Sequence, residues 1–221
     1  MTAKSVVVVG GRRGLGLGVA NAARDAGARV TSISRADGDA TDEAFADKVL
    51  ASEHPDLLVI TAGAVPVMGP LTAQTWESFS TNWNADVRIA FVWLRAALRL
   101  PLDPGARVVV FGSGAELRGS PLSGGYAGAK ATVRLITGYA GGLGLQTTTV
   151  LPLITPGTAV GETAIEAYGV SAGLSPEEFR AGLTSYASPE VAGQAIIALA
   201  DAPSLEPVYL LDASGLHALD R

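Results

Sequence analysis

The chain contains no cysteine, and that absence removes several kinds of chemistry at once. Without cysteine it can form no disulfide, build no Cys-ligated zinc site and use no thiol nucleophile. It also has only two histidines, His54 and His217, which argues against a histidine-rich metal site. We therefore predict that the protein binds no metal.

Charged residues are also few, and neither the acidic nor the basic residues strongly outnumber the other. Charged residues make up 17% of the 221 residues and hydrophobic residues 48%, a balance that excludes a charged disordered protein. The 16 basic and 21 acidic residues leave a net charge of −5, so no polybasic field is present to attract nucleic acid or anionic lipid. We expect a folded protein that acts on small molecules and has no nucleic-acid partner.

One long uncharged stretch, residues 135–161, raises the question of a membrane span. It is long enough to cross a bilayer, but Pro152 and Pro156 would leave backbone groups unpaired in lipid. The apolar run from Ser5 to Val9 is too short for the hydrophobic part of a signal peptide. We therefore expect a cytoplasmic protein that does not enter the membrane.

Short β-branched runs alternate with helical patterns about six times along the chain. The predicted strands are residues 6–9, 29–34, 57–60, 107–111, 147–151 and 208–211. The predicted helices are residues 15–26, 42–52, 75–100, 125–143 and 189–200. This alternation is typical of a doubly wound parallel sheet, the Rossmann-type three-layer α/β/α fold, and the absence of a linker predicts one domain over residues 1–221. Ligands of such sheets bind beyond the carboxyl ends of the strands, which directs attention to the residues after each strand.

A glycine-rich turn follows the first predicted strand. Gly10, Gly14 and Gly16 have the spacing Gly-x3-Gly-x-Gly, directly before the first helix. Such a turn lets a pyrophosphate approach the amides of a helix N-terminus, where the helix dipole favours anions. The alternative is a tight strand–helix turn that binds no ligand.

The end of the second predicted strand bears on which dinucleotide would bind. An acidic residue there would bind the ribose 2′-hydroxyl of NAD, but the sequence reads Ser34-Arg35 and has no carboxylate before Asp37. Arg13 and Arg35 would instead suit a 2′-phosphate, which favours NADP(H). Asp39 could accept a hydrogen bond from the adenine amino group. The alternative for both arginines is a solvated position without a ligand.

A phenol and an ammonium group occur one helical turn apart at Tyr126 and Lys130. With five tyrosines and three lysines in the chain, this spacing rarely arises by chance. An ammonium group favours the phenolate, and a tyrosine tuned in this way can exchange a proton with a carbonyl or alcohol oxygen. Ser113, after the strand at 107–111, could donate a hydrogen bond to the same substrate oxygen. The alternative is a surface Tyr–Lys pair on an amphipathic helix.

Together these motifs resemble the short-chain dehydrogenase/reductase family over nearly the whole chain. The matching segments are the glycine turn, Thr61-Ala62-Gly63 as a variant of the family's Asn-Ala-Gly, the Ser113, Tyr126 and Lys130 set, Ser188 to Ala192, and Leu210 to Gly215. The resemblance implies that Lys130 also bonds the nicotinamide ribose and that residues 153–188 form a substrate lid. It also implies a homodimer or homotetramer built on helices 75–100 and 125–143.

The sequence departs from the family pattern at several points. Val9 stands in place of the usual threonine, and Thr61 in place of asparagine. The family's catalytic asparagine aligns with Asp86, although Asn84 could reach that place through an irregular turn, and both remain candidates. Pro152-Leu153 replaces the usual Pro-Gly, with Pro156-Gly157 following. The short span between Arg35 and Asp39 predicts a missing or vestigial strand on the adenine side, between strands 2 and 4 of the family.

These observations lead to one function and two alternatives. We predict an NADP(H)-dependent carbonyl reductase, with Ser113, Tyr126, Lys130, and Asp86 or Asn84 as its catalytic residues. The alternatives are a catalytically impaired NADP(H)-binding protein and an isomerase or dehydratase that uses the same tyrosine. The predicted cofactor-binding residues are Gly10, Arg12, Arg13, Gly14, Leu15, Gly16, Ser34, Arg35, Asp39, Ala62, Gly63, Tyr126, Lys130 and Pro152.

Overall fold

A seven-stranded sheet with the strand order β2-β1-β3-β4-β5-β6-β7 forms the centre of the computed structural model, which describes residues 4–219. The strands are β1 (Ser5–Val9), β2 (Arg29–Ile33), β3 (Leu57–Ile60), β4 (Arg107–Phe111), β5 (Gln146–Pro152), β6 (Val208–Asp212) and β7 (Gly215–Ala218). β1 to β6 pair in parallel, and β7 pairs antiparallel with β6. The predicted doubly wound parallel sheet is confirmed. Residues 1–3 and 220–221 of the predicted domain lie outside the described residues.

The seventh strand was missing from the sequence prediction. β7 forms a hairpin with β6, in which Asp212 pairs with Gly215, and its outer residues His217 and Ala218 are exposed. A short, exposed strand at the sheet edge has no continuous buried apolar run, which was the signal used for the other six strands.

Alternate residues of the central strands face opposite helical layers. Val7 and Val9 of β1 pack into one core, and Val6 and Val8 pack into the other. Because both faces of the sheet are covered, all five residues of β1 and all four of β3 are buried, as expected for strands inside a parallel sheet. Strands that are buried on both faces therefore appear in the sequence as continuous runs of Val, Leu and Ile.

The helices form the two outer layers and the segments beyond the carboxyl edge of the sheet. They are α1 (Gly14–Asp25), α2 (Glu43–Glu53), α3 (Trp76–Phe79), α4 (Arg88–Arg99), α5 (Ala115–Arg118), α6 (Tyr126–Gly142), α7 (Ala159–Ser171), α8 (Pro176–Ala181) and α9 (Pro189–Leu199). Helices α2, α4 and α6 cover one face of the sheet, whereas α1 and α9 cover the other. Within residues 4–219, none of the helices combines the length and apolar character needed to cross a bilayer.

The helical pattern predicted over residues 75–100 is present over most of this segment, but it does not form one regular α-helix. Between α3 and α4 the chain makes a π-helical turn at Trp83–Val87. This widened turn coincides with two hydrogen bonds to Ala64, in the segment after β3. The Asn82 side chain donates to the Ala64 carbonyl, and the Asp86 carboxylate accepts from the Ala64 amide. The composition of the segment is helical throughout, so only these long-range bonds mark the interruption.

The region after β2 is shortened, as the sequence predicts. β2 is the edge strand of the described sheet, and a loop leads directly from it to α2, whose first turn is capped by the Asp42 side chain. The buried indole of Trp93 on α4 donates a hydrogen bond to the Ala40 carbonyl at 3.0 Å. This bond fixes the shortened loop to the core.

Candidate active site

The glycine turn after β1 depends on the absence of side chains. Gly10 has a φ of 95°, and a Cβ atom there would lie 2.6 Å from the Thr61 hydroxyl oxygen. A Cβ atom on Gly16 would overlap with the carbonyl oxygen of Gly10. The Thr61 hydroxyl donates to the Val9 carbonyl at 3.0 Å, so two of the residues that depart from the family pattern bond to each other between the ends of β1 and β3.

The N-terminus of α1 faces this turn without a capping side chain. Arg13 is the N-cap residue, and its side chain makes no hydrogen bond to the first turn, whereas Asp42 caps α2 in the usual way. The first amides of α1 therefore lack the partner that a capping side chain supplies. Backbone amides at a glycine-lined helix start are the donors that a phosphate group requires.

The residues after β2 surround a carboxylate that the sequence prediction did not use. Asp37 accepts hydrogen bonds from the Ser34 amide at 2.9 Å and the Ser34 hydroxyl at 2.7 Å, and it forms an ion pair with Arg12 at 2.8 Å. The Ser34 hydroxyl bond is the largest cause that holds the pKa of Asp37 below its ordinary value. Arg13 and Arg35 are exposed and form no ion pair within the part of the chain that the structure describes.

Asp39, the predicted partner of the adenine amino group, already has partners in its own loop. Its carboxylate accepts hydrogen bonds from the amide and the hydroxyl of Thr41, both at 2.8 Å. The Thr41 amide bond is the largest cause that lowers the pKa of Asp39. These bonds define the shape of the loop between β2 and α2.

A buried ion pair joins the π-helical turn to α6. The Asp86 Oδ2 atom lies 3.1 Å from the Lys130 Nζ atom, and both residues are buried. The other Asp86 oxygen accepts hydrogen bonds from the Ala64 amide at 2.8 Å and from the Asn82 side chain at 3.3 Å. Asp86 therefore connects the segment after β3 to the helix that carries Tyr126.

Lys130 keeps a charge inside the protein because several acceptors surround it. Its ammonium group also donates to the Phe111 carbonyl at 3.1 Å and lies 5.8 Å from the centre of the Tyr126 ring. Burial by itself lowers the pKa of Lys130, but the Asp86 carboxylate, with smaller contributions from Tyr126 and Glu116, outweighs burial and raises it above its ordinary value. Lys130 is therefore a charged group at neutral pH.

Of the two residues that the sequence left open, the structure brings Asp86 to Lys130. Asn84 is exposed, and its amide donates to the Ser80 hydroxyl at 3.3 Å. The residue that sequence reasoning missed is Asn82, one turn before Asp86, which also donates to the Ala64 carbonyl at 2.8 Å. The i, i+4 spacing of Asn82 and Asp86 was the only signal that could have indicated it.

Gly63 makes the approach of Asp86 possible. A Cβ atom on Gly63 would lie 2.7 Å from the Asp86 Oδ2 atom. The Ala62-Gly63 segment, predicted to bind the cofactor, therefore also leaves space for the buried carboxylate.

Ser113 and Tyr126 lie at the start of neighbouring helical segments at this edge of the sheet. Ser113 follows β4 and is buried, and its hydroxyl accepts a hydrogen bond from the Ala115 amide at 3.2 Å. Tyr126 is the first residue of α6 and is half-buried. The predicted i, i+4 relation of Tyr126 and Lys130 is thus present on one helix.

Residues 153–188 follow the carboxyl end of β5. The Pro152 carbonyl accepts a hydrogen bond from the Gly114 amide at 2.9 Å, and a Cβ atom on Gly14 would lie 3.3 Å from a Thr158 methyl group. The start of α7 therefore lies against the glycine turn. Further along α7, the Tyr168 hydroxyl bonds to the Ser120 hydroxyl at 2.7 Å, which ties α7 to the loop before Tyr126.

No family sequence model matches this chain, and no curated protein matches it.

Solved structures, by contrast, match the chain over almost its full length. One is a small-chain dehydrogenase in complex with NADPH, with 18% sequence identity, a TM-score of 0.77, and coverage of 96% of this chain and 98% of that one. A second is an oxidoreductase of the short-chain dehydrogenase/reductase family from Burkholderia thailandensis, with 22% identity, a TM-score of 0.76, and coverage of 96% and 92%. A third is levodione reductase, with 20% identity, a TM-score of 0.76, and coverage of 94% and 95%. The chain has the fold of the short-chain dehydrogenase/reductase family.

Proposed function

We propose that the protein is an NADP(H)-dependent oxidoreductase that transfers hydride between nicotinamide and a ketone or secondary alcohol, with carbonyl reduction as its main activity. The observation that carries this proposal is the charged Lys130, buried between Asp86 and the Phe111 carbonyl and close to the Tyr126 ring. Tyr126 lies one helical turn before this ammonium group on α6, and a tyrosine in that position is suited to exchange a proton with a substrate oxygen. The structural similarity to dehydrogenases and reductases, one of them in complex with NADPH, supports the same chemistry.

Each residue of the site has a distinct role in this proposal. Tyr126 exchanges a proton with the substrate oxygen, and Ser113 donates a hydrogen bond to the same oxygen. Lys130 keeps the phenol reactive and holds the cofactor ribose, and Asp86 keeps Lys130 charged and in place. When bound, the nicotinamide supplies the hydride.

The residues around the glycine turn fit a dinucleotide. The turn has no room for side chains at Gly10 and Gly16, and the first amides of α1 are free of a capping side chain. Gly14, Leu15 and the neighbouring amides would hold the pyrophosphate.

Arg13 at the start of α1 and Arg35 after β2 favour NADP(H) over NAD(H). Arg13 and Arg35 are exposed cations without an ion pair in residues 4–219, so both can bind a 2′-phosphate. The Asp37 carboxylate is occupied by Ser34 and Arg12, which makes it a poor partner for a ribose hydroxyl.

The segment between β5 and α9 would cover the substrate. Residues 153–188, which include α7 and α8, would form a lid over the substrate, anchored by the Tyr168–Ser120 bond.

The outer surface of α4 and α6 carries exposed apolar side chains and would form the contact of a homodimer or homotetramer. The residues of this surface, which we call the α4/α6 face, are Trp83, Phe91, Leu135, Tyr139 and Leu143.

Substitution of Tyr126 by Phe tests the proposed function. The purified protein is mixed with NADPH and a panel of ketones, and the loss of NADPH absorbance is followed together with product formation. We expect steady consumption by the wild type and no turnover by Tyr126→Phe, with NADPH affinity retained. Tyr139→Phe, an exposed tyrosine on the same helix, is the matched control and should retain activity.

The alternatives give different results in the same experiment. Binding of NADPH without consumption would indicate a cofactor-binding protein without turnover. Product formation without NADPH consumption would indicate an isomerase or dehydratase. Unchanged turnover by Tyr126→Phe would remove Tyr126 from the mechanism.

A further inference from the structure

A second buried carboxylate lies close to the site, and the roles proposed above do not use it. Glu116 is on α5, three residues after Ser113, and its side chain is fully buried. One of its oxygens accepts a hydrogen bond from the Arg134 side chain, which is partly exposed. The other oxygen, Oε2, is buried and has no hydrogen-bond partner among residues 4–219. A buried acceptor without a partner is costly, so its presence beside a reactive site requires an explanation.

The Glu116–Arg134 pair joins the two segments that carry the reactive groups. The Glu116 amide donates to the Ser113 carbonyl at 3.1 Å, so α5 begins directly on the residue that would orient the substrate. Arg134 lies one turn after Lys130, on the same helix as Tyr126. The ion pair therefore fixes the position of Ser113 relative to Tyr126 and Lys130.

Glu116 and Lys130 also approach the same end of β4. The Lys130 ammonium donates to the Phe111 carbonyl, and the Glu116 Oε2 atom lies 3.2 Å from the place where a Cβ atom on Gly112 would be. Two cations on α6, Lys130 and Arg134, act on Glu116. The residues of β5 beside Gly112 are Thr149 and Leu151, which carry no charge.

We propose that Glu116 is a positioning residue of the reaction, because its buried carboxylate holds the Ser113 segment on α6 and places a second negative charge near Lys130. This inference rests on the proposed function. Asp86 and Glu116 then both stabilise the charged form of Lys130, one from the π-helical turn and one from α5.

The protonation of Glu116 should also determine the pH at which kcat falls on the acidic side of its pH profile. Burial raises the pKa of Glu116 above its ordinary value, although Arg134 and Lys130 oppose this effect. Glu116 therefore takes up a proton at a higher pH than an exposed glutamate does. Protonation weakens its bond to Arg134 and removes a negative charge near Lys130, so turnover should fall as Glu116 becomes protonated.

The experiment compares Glu116→Gln and Arg134→Gln with the wild type. In Glu116→Gln we expect kcat to fall about tenfold or more, with the acidic inflection of the kcat profile lost and NADPH affinity unchanged within about twofold. In Arg134→Gln the carboxylate loses its main cation, so the inflection should move to higher pH. Glu53→Gln, which removes a carboxylate paired with Arg29 at the opposite end of the sheet, is the matched control and should leave the profile unchanged.

Thermal unfolding separates this role from a merely structural one. Because burial makes the charged form of Glu116 unfavourable, the neutral Gln variant should have a melting temperature no lower than that of the wild type at pH 8. Any increase in the melting temperature of the Gln variant over the wild type should become smaller as the pH falls, because wild-type Glu116 then becomes protonated. A loss of melting temperature in proportion to the loss of kcat would assign Glu116 a structural role and overturn the proposal.

The same measurements distinguish a wrong role for Glu116 from a wrong proposed function. If the wild type consumes no NADPH with any ketone, the proposed function fails, whatever Glu116 does. If the wild type turns over and Glu116→Gln has the same kcat and the same pH profile, the proposed function stands and the role of Glu116 is wrong.

Discussion

The Asp86 carboxylate and the Lys130 ammonium form a buried ion pair, with 3.1 Å between Oδ2 and Nζ. A lone buried charge is costly, whereas a pair with additional hydrogen bonds can be retained in a protein interior. The Ala64 amide and the Phe111 carbonyl supply those additional bonds. The pair thus anchors the helix of Tyr126 to the segments after β3 and β4.

Removing Asp86 should leave Lys130 as a buried charge without its main partner. We expect Asp86→Ala to lower the free energy of unfolding by about 3–5 kcal/mol at pH 7, measured by urea denaturation. Asp86→Asn should cost less, because an amide oxygen can still accept the Ala64 hydrogen bond. Asp47→Ala breaks an exposed ion pair with Arg99 and should cost at most about 1 kcal/mol.

The pH dependence of the same variants has a defined sign. In the wild type the pKa of Lys130 is raised, so its contribution to stability is fully present below the ordinary value of 10.5 and is lost only as the pH rises through the higher folded value. In Asp86→Ala, burial should bring the pKa of Lys130 below the ordinary value. The free energy of unfolding of Asp86→Ala should then rise with pH on the alkaline side. The difference in free energy of unfolding between this variant and the wild type should therefore narrow. A difference that stays constant with pH would contradict this account.

Replacement of both Arg13 and Arg35 by Ala should weaken binding of NADPH but not of NADH. Two cations that bind the 2′-phosphate contribute charge-assisted bonds, so we expect the Kd of NADPH to rise about tenfold or more. The Kd of NADH, which lacks this phosphate, should change by less than about twofold in the same fluorescence titration. Arg99→Ala, an exposed arginine at the end of α4, is the control. Equal losses for both nucleotides would count against a 2′-phosphate site.

Two helical glycines should respond in opposite ways to substitution by Ala. A Cβ atom on Gly18 would overlap with the Pro189 carbonyl, where α1 and α9 pack closely, so Gly18→Ala should destabilise the protein by about 1–3 kcal/mol. A Cβ atom on Gly138 would meet no atom within 4 Å, and Gly138→Ala should stabilise α6 by about 0.5–1 kcal/mol. Chemical denaturation measures both, and a stabilised Gly18→Ala variant would show that the two helices can separate at no cost.

If the α4/α6 face is the contact between copies of the chain, a charge placed in its middle should dissociate the oligomer. Phe91→Glu places a carboxylate on this exposed apolar surface. We expect analytical ultracentrifugation to give the mass of a dimer or tetramer for the wild type and of a monomer for the variant. Leu71→Glu, at another exposed apolar position, should leave the mass unchanged. An oligomeric Phe91→Glu variant would move the contact to another surface.

The parts of the fold that could be predicted from sequence are those with local signals. The buried strands appear as continuous runs of Val, Leu and Ile, and the Tyr126–Lys130 pair appears as an i, i+4 spacing. The shortened region after β2 was predicted from the short span between Arg35 and Asp39. In each case the relevant residues are close together in the chain.

The parts that could not be predicted depend on contacts between distant residues. Asn82 and Asp86 bond to Ala64 and coincide with the π-helical turn at Trp83–Val87. The sequence allows an irregular turn here for Asn84, but the partner Ala64 is too distant in the chain to be recognised from sequence. The burial of Glu116 depends on how α5 folds onto α6, because a glutamate after Ser113 looks like an ordinary exposed residue in the sequence. β7 was missed because its signal was too short.

The hydrogen bond from the Trp93 indole to the Ala40 carbonyl also gives the protein an internal optical reporter. Trp93 is fully buried, whereas Trp76 and Trp83 are exposed. A soluble quencher should therefore remove the emission of Trp76, and that of Trp83 where the α4/α6 face is not covered by a second copy, and leave that of Trp93. The remaining fluorescence would monitor the loop between β2 and α2, beside the proposed nucleotide site, without an added label.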